Sequence, residues 1–122
     1  MGGRGASSGR KRLPNWENAI IARNKLKNYL LNPAKSNGKS AFFADIGYNM
    51  KNWKILERDI RLGIKNNPAK EDIVNRYGHA AKAYHVDMQL GLNKKAIVIT
   101  SWKHEEKGKP RLITAFPERK NT

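Results

Sequence analysis

The chain has 122 residues, no cysteine, and 25 Lys and Arg against 10 Asp and Glu, for a net charge of +15. This length suits one domain with its own core, and the missing cysteines exclude disulfide frameworks, thiolate zinc sites and thiol nucleophiles. No apolar run approaches the roughly 18 residues that span a bilayer, so no membrane partner is expected; the basic surplus points to a polyanion, nucleic acid first.

Residues 1–12, MGGRGASSGRKR, offer almost nothing to bury and read as a flexible basic arm. In its functional version Arg10, Lys11 and Arg12 hold phosphates; in its plain version it is a solvated tail. Leu13-Pro14-Asn15-Trp16 opens a single domain running to Pro117, and residues 118–122 form a short basic tail. Ala19, Ile20 and Ile21 suit either an edge strand or the first turn of a helix, because periodicity does not separate the two in so short a run.

From Arg23 the spacing of Leu26, Tyr29 and Leu30 predicts a helix that ends at Asn32-Pro33, since a residue before proline is biased away from helical geometry. A short helix follows over Lys39 to Ile46, with Phe42, Phe43 and Ile46 inward and Gly47 as its cap. Asn49 then caps a helix over Lys51 to Lys65 with a stripe of Trp53, Leu56, Ile60 and Ile64. Glu71 to Tyr77 reads as a strand or a helical turn.

Three strands close the chain: Ala81 to Leu90, Ala96 to Trp102 and Arg111 to Phe116, joined by Gly-containing charged turns. In the first, Tyr84, Val86, Met88 and Leu90 alternate with Ala83, His85, Asp87 and Gln89, so one side packs and the other meets water. By the same alternation Thr100 and Trp102 share a face, as do Leu112, Thr114 and Phe116. Helices first and strands last define an α+β fold, with N-terminal helices on one face of a three- to four-stranded antiparallel sheet.

The carboxylates are too scattered to predict a metal site, and His104-Glu105-Glu106 lacks the second histidine of a helical zinc motif. No cofactor is expected: Gly38-Lys39-Ser40 resembles the end of a P-loop, but the upstream glycine and the preceding strand are absent. Lys39 at a helix start suits a nucleic-acid phosphate. His85, on the wet side of a strand, is the best-placed histidine for proton transfer. Thr100, Ser101, Trp102, Arg111 and Thr114 complete the polar and aromatic groups that the strands project, a set suited to single-stranded RNA.

Taken together, LPNWENAIIARNKLKNYLLNP, GKSAFFADIGY, NWKILERDI, RYG, TSWK and PRLITAFP resemble a bacterial and phage domain family. That family in turn is similar to the nuclease superfamily of barnase, EndoU, colicin RNase domains and RelE. The opening MGGRGASSG resembles a Gly-rich segment of phage head-morphogenesis polypeptides. What the resemblance implies is a toxin-like domain that cuts RNA without metal, acts in a bacterial or phage-infected cytoplasm, and meets a host or immunity protein as partner. Carried over residue by residue, it marks Lys25, Lys39, Tyr77, Trp102, Arg111 and Thr114; His85 is not among its marked positions.

The expected chemistry has His85 or Lys39 drawing the proton from an RNA 2′-hydroxyl, with Lys39, Arg111 and Thr114 steadying the charge that develops on phosphate. Lys25, Tyr77 and Trp102, with the arm, would bind the strand. The rival expectation is a non-catalytic basic module of a phage, a host-defence antagonist or a packaging accessory, that binds nucleic acid or a nucleic-acid–protein complex without turnover.

Overall fold

The computed structural model describes residues 11–35, 38–76, 79–104 and 108–118, with side chains 72–82 outside that description. Residues 1–10 of the arm, Arg10 among them, Tyr77, the Glu105-Glu106 turn and the last four residues therefore lie outside the described residues. The expected α+β architecture is present: helices come first, and a four-stranded antiparallel sheet follows. The strands are β1 (Ala69–Arg76), β2 (His79–Leu90), β3 (Ala96–His104) and β4 (Pro110–Pro117), paired in chain order. The ambiguous stretch after Asn67-Pro68 is thus a strand.

Its first helix, α1 (Arg23–Lys25), widens at once into a π turn over Leu26–Leu30. The Leu31 amide donates to the Leu26 carbonyl five residues back, at 2.9 Å. A regular helix would keep Leu26 and Leu30 on one face and turn Leu31 about 100° away from Leu30, whereas here all three are buried in the core. The wider turn accommodates two consecutive leucines on the inward side. It ends at Asn32, whose side chain accepts from the Ala34 amide at 2.9 Å, a local turn that proline then fixes.

The second helix, α2 (Lys39–Asp45), buries Phe43 and leaves Phe42 half-exposed. Gly47 follows with φ +112°, a conformation glycine adopts without strain. Asn49 caps as expected: it accepts from Lys51 and Asn52 amides and its own amide donates to Asn52, which starts a 3-10 turn that feeds α3 (Trp53–Asn66). From α3, Leu56, Ile60, Gly63 and Ile64 are buried. Gly63 packs closely on the sheet: a Cβ built there would clash with the Met88 side chain, meeting its Cβ at 3.0 Å, so a side chain at this position forces Met88 to repack.

The core fills the space between helices and one sheet face, with Val86, Met88, Leu90, Val98, Trp102, Leu112 and Ala115 on the sheet side. Tyr48 pins the two layers. Its hydroxyl donates to Asp59 on α3 at 2.6 Å and accepts from the Gly91 amide at the β2–β3 turn at 3.0 Å. Burial first, then the Asp59 hydrogen bond, push this phenol well above the ordinary tyrosine range, so it stays neutral. Tyr48→Phe is expected to cost about 1–3 kcal/mol, because it leaves the buried Gly91 amide unpaired; chemical denaturation measures it, and an unchanged midpoint would contradict the role.

The undecided Ala19–Ile21 stretch resolves as an edge bridge. The Ile20 amide donates to Pro110 at 2.7 Å and its carbonyl accepts from Leu112 at 2.9 Å, parallel to β4. This covers the outer edge of β4, which would otherwise offer unpaired backbone. Arg61 on α3 holds the segment by donating to the Ala19 carbonyl at 2.9 Å.

Candidate functional site

Helices cover one side of the sheet, and the other carries the outward residues of β2, β3 and β4. The strand register lines up Lys70, His85, Ser101 and Thr114 in one row across all four strands. Adjacent strands lie about 4.8 Å apart, so His85 and Thr114 flank Ser101 on the two neighbouring strands. The next row holds Ala83, Lys103 and Arg111; the row on the other side holds Asp87, Ile99 and Phe116. The side chains of His85, Ser101, Thr114, Lys103 and Arg111 therefore share the side of the sheet that none of the described helices covers.

A β-bulge produces this arrangement. Trp102 pairs with Leu112 but Ser101 pairs with Thr114, so Ile113 is an extra residue on β4. Straight alternation puts Leu112, Thr114 and Phe116 on a common face; the structure corrects this, since Leu112 points into the core while Thr114 and Phe116 pair outward. Ile113 is left 37% exposed. The Thr114 hydroxyl is itself unusual: its Oγ1 is shielded from water and makes no hydrogen bond. An orphan hydroxyl costs stability, and a turn about χ1 brings it from this shielded position to the outward side, where it can donate to a bound group.

The other sequence-marked residues are placed elsewhere. Trp102 belongs to the core, 0% exposed, with its Nε1 donating to Thr100 Oγ1 at 2.8 Å and that hydroxyl donating to the Val86 carbonyl at 2.9 Å. An indole buried on all sides has no face to offer a base, so Trp102 leaves the candidate nucleic-acid contacts. Lys39 sits in the helical layer, not on the sheet face: its ammonium lies 3.4 Å from the Tyr29 hydroxyl and 5.5 Å from that ring centre. Lys25 approaches the same ring at 5.1 Å. These two lysines share Tyr29 and are separate from the His85 row. Arg12 lies over Trp16 at 5.3 Å, and the Lys11 carbonyl accepts from Ala69 at 2.8 Å, so both join the start of the domain.

His104 is turned to the helical side, where Nε2 lies 3.2 Å from the Pro14 carbonyl and the ring meets Tyr84 edge-on at 4.8 Å. His85 is thus the described histidine side chain on the open face. Ser101, one of the projected polar groups but without a role of its own in the sequence reading, and Lys103, which that reading does not name, join the site through register; the alternation around Thr100 and Trp102 is the signal that finds them. Grooves of about 310 Å³ beside Tyr48, Asp59 and Gly91, about 290 Å³ beside Phe42, Gln89 and Ile97, and about 460 Å³ beside Trp16 and Arg61 are not lined by His85, Ser101 or Thr114. A small molecule needs such enclosure, whereas a flat cationic sheet suits a polymer laid across it.

A helical layer against a sheet with one open face is an architecture found among solved structures. A chain of the contact-dependent growth inhibition toxin–immunity protein complex from Klebsiella pneumoniae 342 shares it, with a TM-score of 0.61 at 13% identity over 82% of this chain and 100% of that one. Sequence supplies the more particular assignment: residues 12–119 match the family described as Domain of unknown function (DUF6883), and the chain belongs to that family. No curated protein matches the sequence.

Proposed function

We propose that this protein is a toxin-like ribonuclease that cuts RNA by internal attack of the 2′-hydroxyl, with no metal in the step. The observation that carries the reading is the His85–Ser101–Thr114 row on the open sheet face, with Lys103 and Arg111 beside it. The architecture shared with a toxin–immunity complex supports the toxin-like role, and an immunity protein is the expected protein partner. A net charge of +15 supports approach to a polyanion.

In this mechanism His85 accepts the 2′-hydroxyl proton as the 2′-oxygen bonds to phosphorus. The bond from phosphorus to the 5′-oxygen breaks, the leaving oxygen takes a proton from solvent, and a 2′,3′-cyclic phosphate remains. Thr114 and Ser101 donate to the phosphoryl oxygens while Arg111 and Lys103 offset their charge. Lys39, in the helical layer with Lys25, serves strand binding away from the cut.

The test is a DNA strand containing a single ribonucleotide, incubated with the protein in EDTA. Cleavage is expected only on the 3′ side of that ribonucleotide, leaving a cyclic phosphate; all-DNA strands survive. Cutting elsewhere, or a requirement for magnesium, contradicts the mechanism. Salt-dependent binding without turnover would establish the non-catalytic module instead.

A further inference from the structure

Phe116 stands apart from every other described aromatic side chain. Phe43, Tyr48 and Trp102 are in the core, and Trp16, Tyr29, Phe42, Trp53 and Tyr84 pack against it, but Phe116 does neither. It is half-buried on the outward side of β4, paired across the strand with Ile99. Ile97 and Ile113, on the same surface, are 38% and 37% exposed. Apolar surface left on an open sheet is costly in water unless something covers it.

We infer that Phe116, with Ile99 beside it, is a platform on which an unpaired RNA base stacks next to the phosphate held at Thr114. This rests on the ribonuclease reading and adds a substrate class to it: single-stranded RNA, with the stacked nucleotide adjoining the cut. Phe116 lies two residues beyond Thr114, about 7 Å along the strand, within the reach of one nucleotide. The cationic row of Lys103 and Arg111 lies on the opposite side of Thr114, so the backbone crosses toward the cations while its base falls on the apolar row. Asp87 closes that row, and Lys70 at 3.6 Å offsets its charge. Base stacking on an aromatic that keeps part of its ring accessible is sequence-tolerant, because every base has a π face. The stacking role expected of Trp102 thereby passes to a residue on the accessible side.

The experiment compares the protein with Phe116→Ala, Phe116→Leu and Phe116→Trp on the single-ribonucleotide strand, and on the same strand made abasic at either nucleotide flanking the cut. Phe116→Ala is expected to raise KM about tenfold with kcat within about twofold, Phe116→Trp to retain the original KM, and one abasic strand to erase the difference. Phe116→Leu keeps the aliphatic cover of the sheet and reads the same KM rise should the alanine variant fail to fold. A KM unchanged in both Ala and Leu variants overturns the platform while leaving the ribonuclease intact. If the wild-type protein cuts nothing, the ribonuclease reading fails by itself; quenching of a 2-aminopurine-labelled strand then decides the platform, being lost in Phe116→Leu if it exists and unchanged if it does not.

Discussion

Thr114→Val is expected to lower RNA cleavage by about two to three orders of magnitude while leaving the protein as stable as before, or more stable by up to about 1 kcal/mol. Valine matches the shape of threonine and removes only the hydroxyl. In the folded protein that hydroxyl is shielded from water and bonded to nothing, so its removal relieves a desolvated polar group and breaks no contact. A threonine kept for architecture predicts the reverse, a loss of stability with cleavage intact. Thr114→Ser, which restores a donor, is expected to recover much of the rate. His85→Ala gives the companion loss, about 10²–10⁴-fold for a proton acceptor, and the two losses together combine to less than their product if both groups serve one transition state. Cleavage of the single-ribonucleotide strand and thermal unfolding of each variant are the two measurements. Divergence of activity from stability is what separates a site held at a cost from a residue that merely fills a strand.

The fold was legible because its signals are periodic. The stripe of Leu56, Ile60 and Ile64, the alternation of Val86, Met88 and Leu90, and the Asn49 cap each state a local rule that the tertiary structure obeys. What was not legible depends on irregularity. The Ile113 bulge moves Thr114 and Phe116 to the face opposite Leu112, and nothing in the spacing of apolar residues announces it, since Leu112, Thr114 and Phe116 alternate without interruption. The π turn at Leu26–Leu30 is likewise invisible to a 3.6-residue period until Leu31 is seen to be buried. Ile20 became a bridge because β4 had a free edge to cover, a tertiary demand that a three-residue apolar run does not state. Lys39 and His85 were grouped as alternative bases by chemical type; only the layering shows one beside Tyr29 among the helices and the other on the sheet's far side.

Trp102→Ala is expected to destabilise the protein by about 3–5 kcal/mol, a shift in Tm on the order of 10–20 °C for a domain of this size. The indole is 0% exposed, the largest of the fully buried side chains, and sits opposite Leu112 and beside Thr100 where the sheet meets the helices. Its deletion leaves a cavity that close-packed neighbours fill only in part. Trp102→Phe is expected to cost less, because the ring volume mostly remains and Thr100 still donates to the Val86 carbonyl; what is lost is the donor to Thr100 Oγ1. These variants also decide where the aromatic contact to nucleic acid lies. A tryptophan that stacks on bases would, when replaced by phenylalanine, leave the melting temperature alone and weaken strand binding, whereas a core tryptophan does the opposite. Paired with Phe116→Leu, the comparison turns on sheet geometry: two aromatic residues on adjacent strands, Trp102 on β3 and Phe116 on β4, lie on opposite faces, so one is expected to answer to denaturant and the other to RNA.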